Sequence, residues 1–210
     1  MAYIDEKIAL LEREARRQKA EPVPNAEEQE RRQEYDSRLT LEEILAMVRD
    51  GSVTFPDGES FEIIMRETLS GRVPILSVRD IFSGPEENEG AAALVDNERG
   101  ISQMVALADR AIFNESIGQW KKRMVDGMKA MGLYTEVTCE KVLENLDYLI
   151  YRMPTAKGWT YNIAFRMKTE EGMAAGNYNC YERDKETYGL LLEALVVRLN
   201  EILSDGMQNK

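Results

Sequence analysis

Between Trp159 and Lys168 the chain alternates without a break. Trp159, Tyr161, Ile163, Phe165 and Met167 are interleaved with Thr160, Asn162, Ala164, Arg166 and Lys168. A period of two sends successive side chains to opposite faces of an extended strand. One face is large and apolar and the other mixed. The strand therefore belongs in an antiparallel sheet, with helices on its buried face and a second face that is at least partly wet.

Its neighbours follow the same chemistry. Residues 146–153 contain Tyr148, Leu149, Ile150 and Tyr151 and read as a buried strand, joined to the Trp159 strand through Pro154, Thr155, Ala156, Lys157 and Gly158. Residues 173–181 return after Glu170, Glu171 and Gly172, and residues 133–138 form a short β-prone run. Upstream, Val53-Thr54-Phe55, Pro56-Asp57-Gly58 and residues 61–65 read as strand, turn and strand. Residues 73–82 are extended, with Pro74 marking an edge or a strand start. Residues 101–108 make a further strand. The intervening residues 83–100 are small and acidic and read as a long surface loop.

Helix signals punctuate these strands. Thr40 with Glu43 forms a capping box ahead of Leu41, Ile44, Leu45 and Val48, and Gly51 marks the end. Asn114 or Ser116 can cap a helix whose Ile117, Trp120, Met124, Met128 and Met131 share one face, with Gly132 just past its end. Asp184 or Thr187 can cap a last helix that carries Leu190, Leu191, Ala194, Val197 and Leu199. The fold class is therefore α+β, an antiparallel sheet flanked by helices, since the βαβα alternation of a parallel sheet is missing.

A charged helical arm precedes this domain, and the boundary falls at residues 38 and 39. Acidic and basic side chains are interspersed from residue 5 to residue 38, as on a solvated helix or a disordered arm. Ile4, Ile8, Leu11 and Ala15 nevertheless form a narrow apolar stripe. Glu21-Pro22-Val23-Pro24 ends that helix and acts as a semi-stiff spacer. A second, almost wholly polar piece follows from Asn25.

The element order resembles the PsbP/DcrB-like α/β/α sandwich, in which a short β-hairpin precedes a central helix and three antiparallel strands precede a final helix. The resemblance rests on Phe55-Pro56-Asp57-Gly58, residues 120–132, Leu146 to Tyr151, residues 159–168 and residues 178–203, and spans residues 50–205. The acidic segment 83–100 and the arm stand apart from it. Members of that group include bacterial secretion-associated chaperones and assembly factors. The resemblance thus implies a binding protein and brings no catalytic residues.

Composition narrows function from the other side. The 210 residues include no histidine, which removes the commonest general base, the commonest zinc ligand and every Ser-His or Cys-His pair. Thirty-eight acidic residues against 27 basic ones give a net charge of −11, unsuited to direct nucleic-acid binding. No stretch is apolar for long enough to cross a membrane. Cys139 and Cys180 lack a zinc or disulfide pattern and are expected as free thiols; with no basic-then-apolar leader at Met1, the expected location is the cytoplasm.

Glu86, Glu87 and Glu89 lack the ligand spacing of a calcium loop, and Gly84, Gly90 and Gly100 lack the spacing of a phosphate loop. Lys121-Lys122-Arg123 reads as a solvated helix face, and the methionines mainly as core, although methionine also suits adaptable binding surfaces. No catalytic, metal or cofactor site is expected. The expected function is non-catalytic binding of another protein, as a chaperone or adaptor for a secretion or assembly system. Its partner-binding candidates are Ile4, Ile8 and Leu11, which could also pair two copies of the chain, together with Trp159 and Tyr161. The alternative is an acidic decoy from a mobile element that occupies a nucleic-acid-processing protein.

Overall fold

The computed structural model describes residues 38–82, 84–109, 114–169 and 172–208. The arm, with Ile4, Ile8 and Leu11, lies outside the described residues. The chain divides between Arg38 and Leu39, and the second unit is the α+β domain described below.

Helix α1 (Leu41–Asp50) opens at Thr40, whose backbone N–H donates to the Glu43 carboxylate at 2.8 Å while the Glu43 N–H donates to the Thr40 hydroxyl at 3.3 Å. It closes on Gly51 at φ +89°, a left-handed conformation that glycine adopts without penalty. Strands β1 (Ser52–Thr54), β2 (Ser60–Thr68) and β3 (Val73–Val78) then form a small antiparallel sheet in that order. Pro74 lies on β3, at the sheet's edge, where a missing N–H costs no ladder bond.

The larger sheet contains β4 (Glu86–Glu87), β5 (Ala91–Asp96), β6 (Ile101–Leu107), β7 (Glu136–Val142), β8 (Leu146–Thr155), β9 (Gly158–Thr169) and β10 (Gly172–Tyr181). Its order is β4-β5-β6-β10-β9-β8-β7, with every pair antiparallel. Helix α2 (Ile117–Ala130) lies in sequence between β6 and β7, and α3 (Leu190–Gln208) follows β10. This is the α+β architecture expected from the order of elements.

One face of the large sheet, here the inner face, carries Leu94, Val105, Tyr178, Phe165 and Tyr148 into a core shared with α1, α3 and the small sheet. Phe165 and Tyr178 meet edge-to-face with ring centroids 4.9 Å apart. Gly176 leaves room for that ring, because a Cβ there would overlap Phe165 and lie 2.8 Å from the Met104 carbonyl oxygen. On the outer face, Trp120 of α2 packs over Leu149, Tyr151 and Ala164. The middle of β9 is consequently buried on both faces, including Asn162 and Arg166.

Three expectations are corrected. The loop expected over residues 83–100 is corrected from residue 84 onward: the segment holds β4 and β5, with Ala92 and Leu94 buried. A run of three alanines carries little β-propensity, and the strand is specified by its ladder with β6. The strand expected at residues 133–138 is displaced to Glu136–Val142, because the turn after α2 extends through Leu133, whose N–H donates to the Met128 carbonyl at 2.9 Å. The last helix is not capped by Asp184 or Thr187. A 3-10 turn over Glu182–Asp184 and a π turn over Lys185–Gly189 lead into α3 at Leu190. There the Thr187 hydroxyl donates to the Asp184 carbonyl, so that side chain serves the turn and not the helix end.

Candidate functional site

The β8–β9 hairpin carries Arg152 and Trp159 on the inner face of the sheet. Trp159 is 40% exposed, in contrast to the fully buried Ile163 and Phe165 farther along the same strand face. The Arg152 guanidinium lies 5.1 Å from the centre of the indole ring and pairs with Glu136 at 2.9 Å. On its other side, Tyr134 meets Trp159 edge-to-face with centroids 6.0 Å apart. Tyr134 belongs to the α2–β7 connection, which also exposes Met131 and Leu133. Two aromatics and an arginine held in one arrangement, beside adaptable aliphatic side chains, have the composition of protein-interface hot spots.

Of the two sheet residues expected to bind a partner, Trp159 lies in this patch, whereas Tyr161 turns toward the core. Tyr161 is half-buried, and its hydroxyl donates to the Glu193 carboxylate of α3 at 3.3 Å. Sequence reasoning missed Tyr134, Met131 and Leu133. Their signal was the apolar run Met131, Leu133 and Tyr134 around Gly132, which closes a helix with nothing downstream at helical spacing to bury it.

A second group of titratable side chains lies in the core. Glu193 is buried and also accepts from the Tyr148 hydroxyl at 2.8 Å. Burial first, and then the Glu193 carboxylate, push both tyrosine hydroxyls far above their ordinary range. The Cys180 thiol is pushed up to about 12, first by burial and then by Asp184 and Glu182. A protonated thiol in the core is a poor nucleophile. Cys139 is half-buried, and both cysteines are free. Among the described residues no group of three or more Cys, Asp or Glu side chains could hold a metal ion, and no helix is long and apolar enough to cross a membrane.

The charged cluster around Arg99 does structural work. Arg99 pairs with Asp96 at 2.9 Å and Glu59 at 3.1 Å, while the Tyr188 hydroxyl donates to Glu59 at 2.9 Å. It joins the β1–β2 turn, the β5–β6 turn and the entry to α3 beside the Phe55, Phe61 and Tyr188 rings. Lys121, Lys122 and Arg123 pair with Glu140, Asp126 and Glu115, respectively, a solvated face of α2. Comparison of the chain with models of known protein families and with curated proteins gives no match.

Proposed function

We propose that this protein is a non-catalytic module that binds another protein, as a chaperone or adaptor for a secretion or assembly system does. The observation that carries this reading is the exposed patch of Trp159, Tyr134 and Arg152, bordered by Met131 and Leu133. A tryptophan left 40% exposed and fixed between a ring and a guanidinium presents apolar area at little further entropic cost. The element order, similar to that of the PsbP/DcrB-like sandwiches, points the same way. The stripe of Ile4, Ile8 and Leu11 is proposed from sequence as a second contact, for the partner or for another copy of the chain. Two free thiols suit a reducing cytoplasm.

The decoy reading draws less support. It calls for carboxylates aligned along one face, and Glu62, Asp96, Glu115, Glu136 and Glu201 each meet an arginine.

The test compares affinity capture by the full chain and by its Trp159→Ser, Tyr134→Ser double variant. Loss of specific co-purifying proteins, with an unchanged thermal midpoint, is expected. If the same proteins return in the same yield, the patch is not the binding surface.

A further inference from the structure

Among the described residues, only half of the outer face of the large sheet is covered. Cross-strand register aligns Ala91 with Ala106 and Ala175, and Ala93 with Met104 and Asn177. These rows continue on β9 and β8 into Arg166 and Asp147, and into Ala164 and Leu149, where α2 is seated. Over β5, β6 and β10 no described element covers the face, with Met104 48% and Val95 44% exposed. Its side chains are mostly small, so a backbone can approach closely.

The open strip has the dimensions of one helix. Three strands spaced at about 4.8 Å span roughly 10–14 Å, and a helix with its side chains is about 10–12 Å across. The other half of the same face already accepts α2. The far lip is acidic: Glu86, opposite Ala93, lines a shallow groove with Ala91, Ala93 and Met104, while Glu87, opposite Ala92, is directed to the inner face, and Glu89 follows. None of these three glutamates forms an ion pair among the described residues.

We infer that the open outer face of β5, β6 and β10 is a docking site for an amphipathic helix of a partner protein. The helix would set its apolar side on Met104 and the alanine rows and a lysine or arginine against Glu86. This site deepens the proposed protein-binding function and rests on that reading, but it lies on the opposite face of the sheet from Trp159. Small residues admit the helix axis, methionine adapts to its side chains, and the Glu86 carboxylate selects for positive charge.

The experiment follows the methionine methyl resonances of the full chain while a synthetic 18-residue amphipathic peptide of leucine and lysine is added. A leucine–glutamate peptide of the same pattern serves as control. The expected result is a saturable shift at Met104 with the lysine peptide alone. Affinity should fall at least tenfold in Met104→Asp and several-fold in Glu86→Lys. Both changes are on the surface, and unchanged circular dichroism confirms the fold. Binding should persist in the Trp159→Ser, Tyr134→Ser variant; loss there would place the helix on the patch and overturn the outer-face site. The site is also overturned if no binding occurs, or if binding is insensitive to Met104→Asp and so merely electrostatic. A Met104 shift that depends on protein concentration without peptide would overturn it too, since the occupant is then a second copy. Failure here with loss of captured proteins in the patch variant leaves the proposed function standing and removes only this site.

Discussion

Tyr178 lies at the centre of the core with its ring against Phe165, and its hydroxyl has no hydrogen-bond partner among the described residues. Burying a hydroxyl without a partner costs about 1–3 kcal/mol, whereas the ring contributes its full apolar area. Tyr178→Phe should therefore raise stability by about 1 kcal/mol, measured as a higher urea midpoint at constant slope. A lower midpoint would show that the hydroxyl is satisfied in solution. Tyr148 is the contrasting case: its hydroxyl donates to Glu193, and removing it would leave a buried carboxylate with one donor fewer.

At the scale of elements, α2 is held to the sheet by more than its apolar stripe. Arg166 is 3% exposed, pairs with Asp147 at 2.7 Å, donates to the Glu115 carbonyl at 2.8 Å and stacks 5.0 Å from the Trp120 ring centre. Removing one partner of a buried pair strands the other charge at a cost of about 3–5 kcal/mol. Asp147→Ala should fall at the low end of that range, because Asp147 keeps some exposure, and should shift Trp120 emission to the red as α2 loosens. Unchanged emission and stability would show that α2 is held by Trp120, Met124 and Met128 alone.

The α1–α3 contact supplies a pH-dependent test. The hydrogen bond from Arg49, opposed by burial and reinforced by Arg198, holds the Glu201 carboxyl below its ordinary range. A carboxylate depressed in the fold stabilises it above the unfolded value, about 4.3, and that stabilisation disappears as pH falls through the lower folded value. Wild type should lose stability on acidification below about pH 4.3, and Glu201→Gln should lose less over the same window. Equal losses would assign the acid sensitivity to other carboxylates, with Asp96 beside Arg99 the next to test.

Most elements were legible because local chemistry and tertiary demand agreed. Thr40 caps its helix as its capping box predicts, Ser116 is the one of two expected candidates that caps α2, and the period-2 run became β9. β5 was illegible because its three alanines favour helix and acquire strand geometry only from β6. The exposed patch was half legible. Trp159 could be singled out, but its separation from Tyr161 depends on where α3 begins, and the π turn at Lys185–Gly189 that fixes this has no sequence signature. The open outer face was hidden for the same kind of reason, since it is defined by where α2 stops.

Across the whole molecule, the two sheets share one core. Val53, Phe61, Ile75 and Val78 of the small sheet belong to the same buried cluster as Leu94, Phe165, Tyr178 and Leu195. The Gln103 side-chain amide on β6 donates to the Leu76 carbonyl on β3 at 3.0 Å, and Arg99 ties Asp96 to Glu59. A three-stranded sheet with its apolar side inside a common core has no separate hydrophobic drive, so it should not unfold on its own. Amide exchange in the β2–β3 ladder should thus report the same opening free energy as Ile163 to Phe165 on β9. Phe165→Ala, which empties a fully buried site on β9, should cost about 3–5 kcal/mol and lower protection in both ladders equally. If β2–β3 amides keep their protection while β9 loses its own, or exchange far faster in the wild type, the small sheet is a cooperative unit of its own and the shared core does not couple the two.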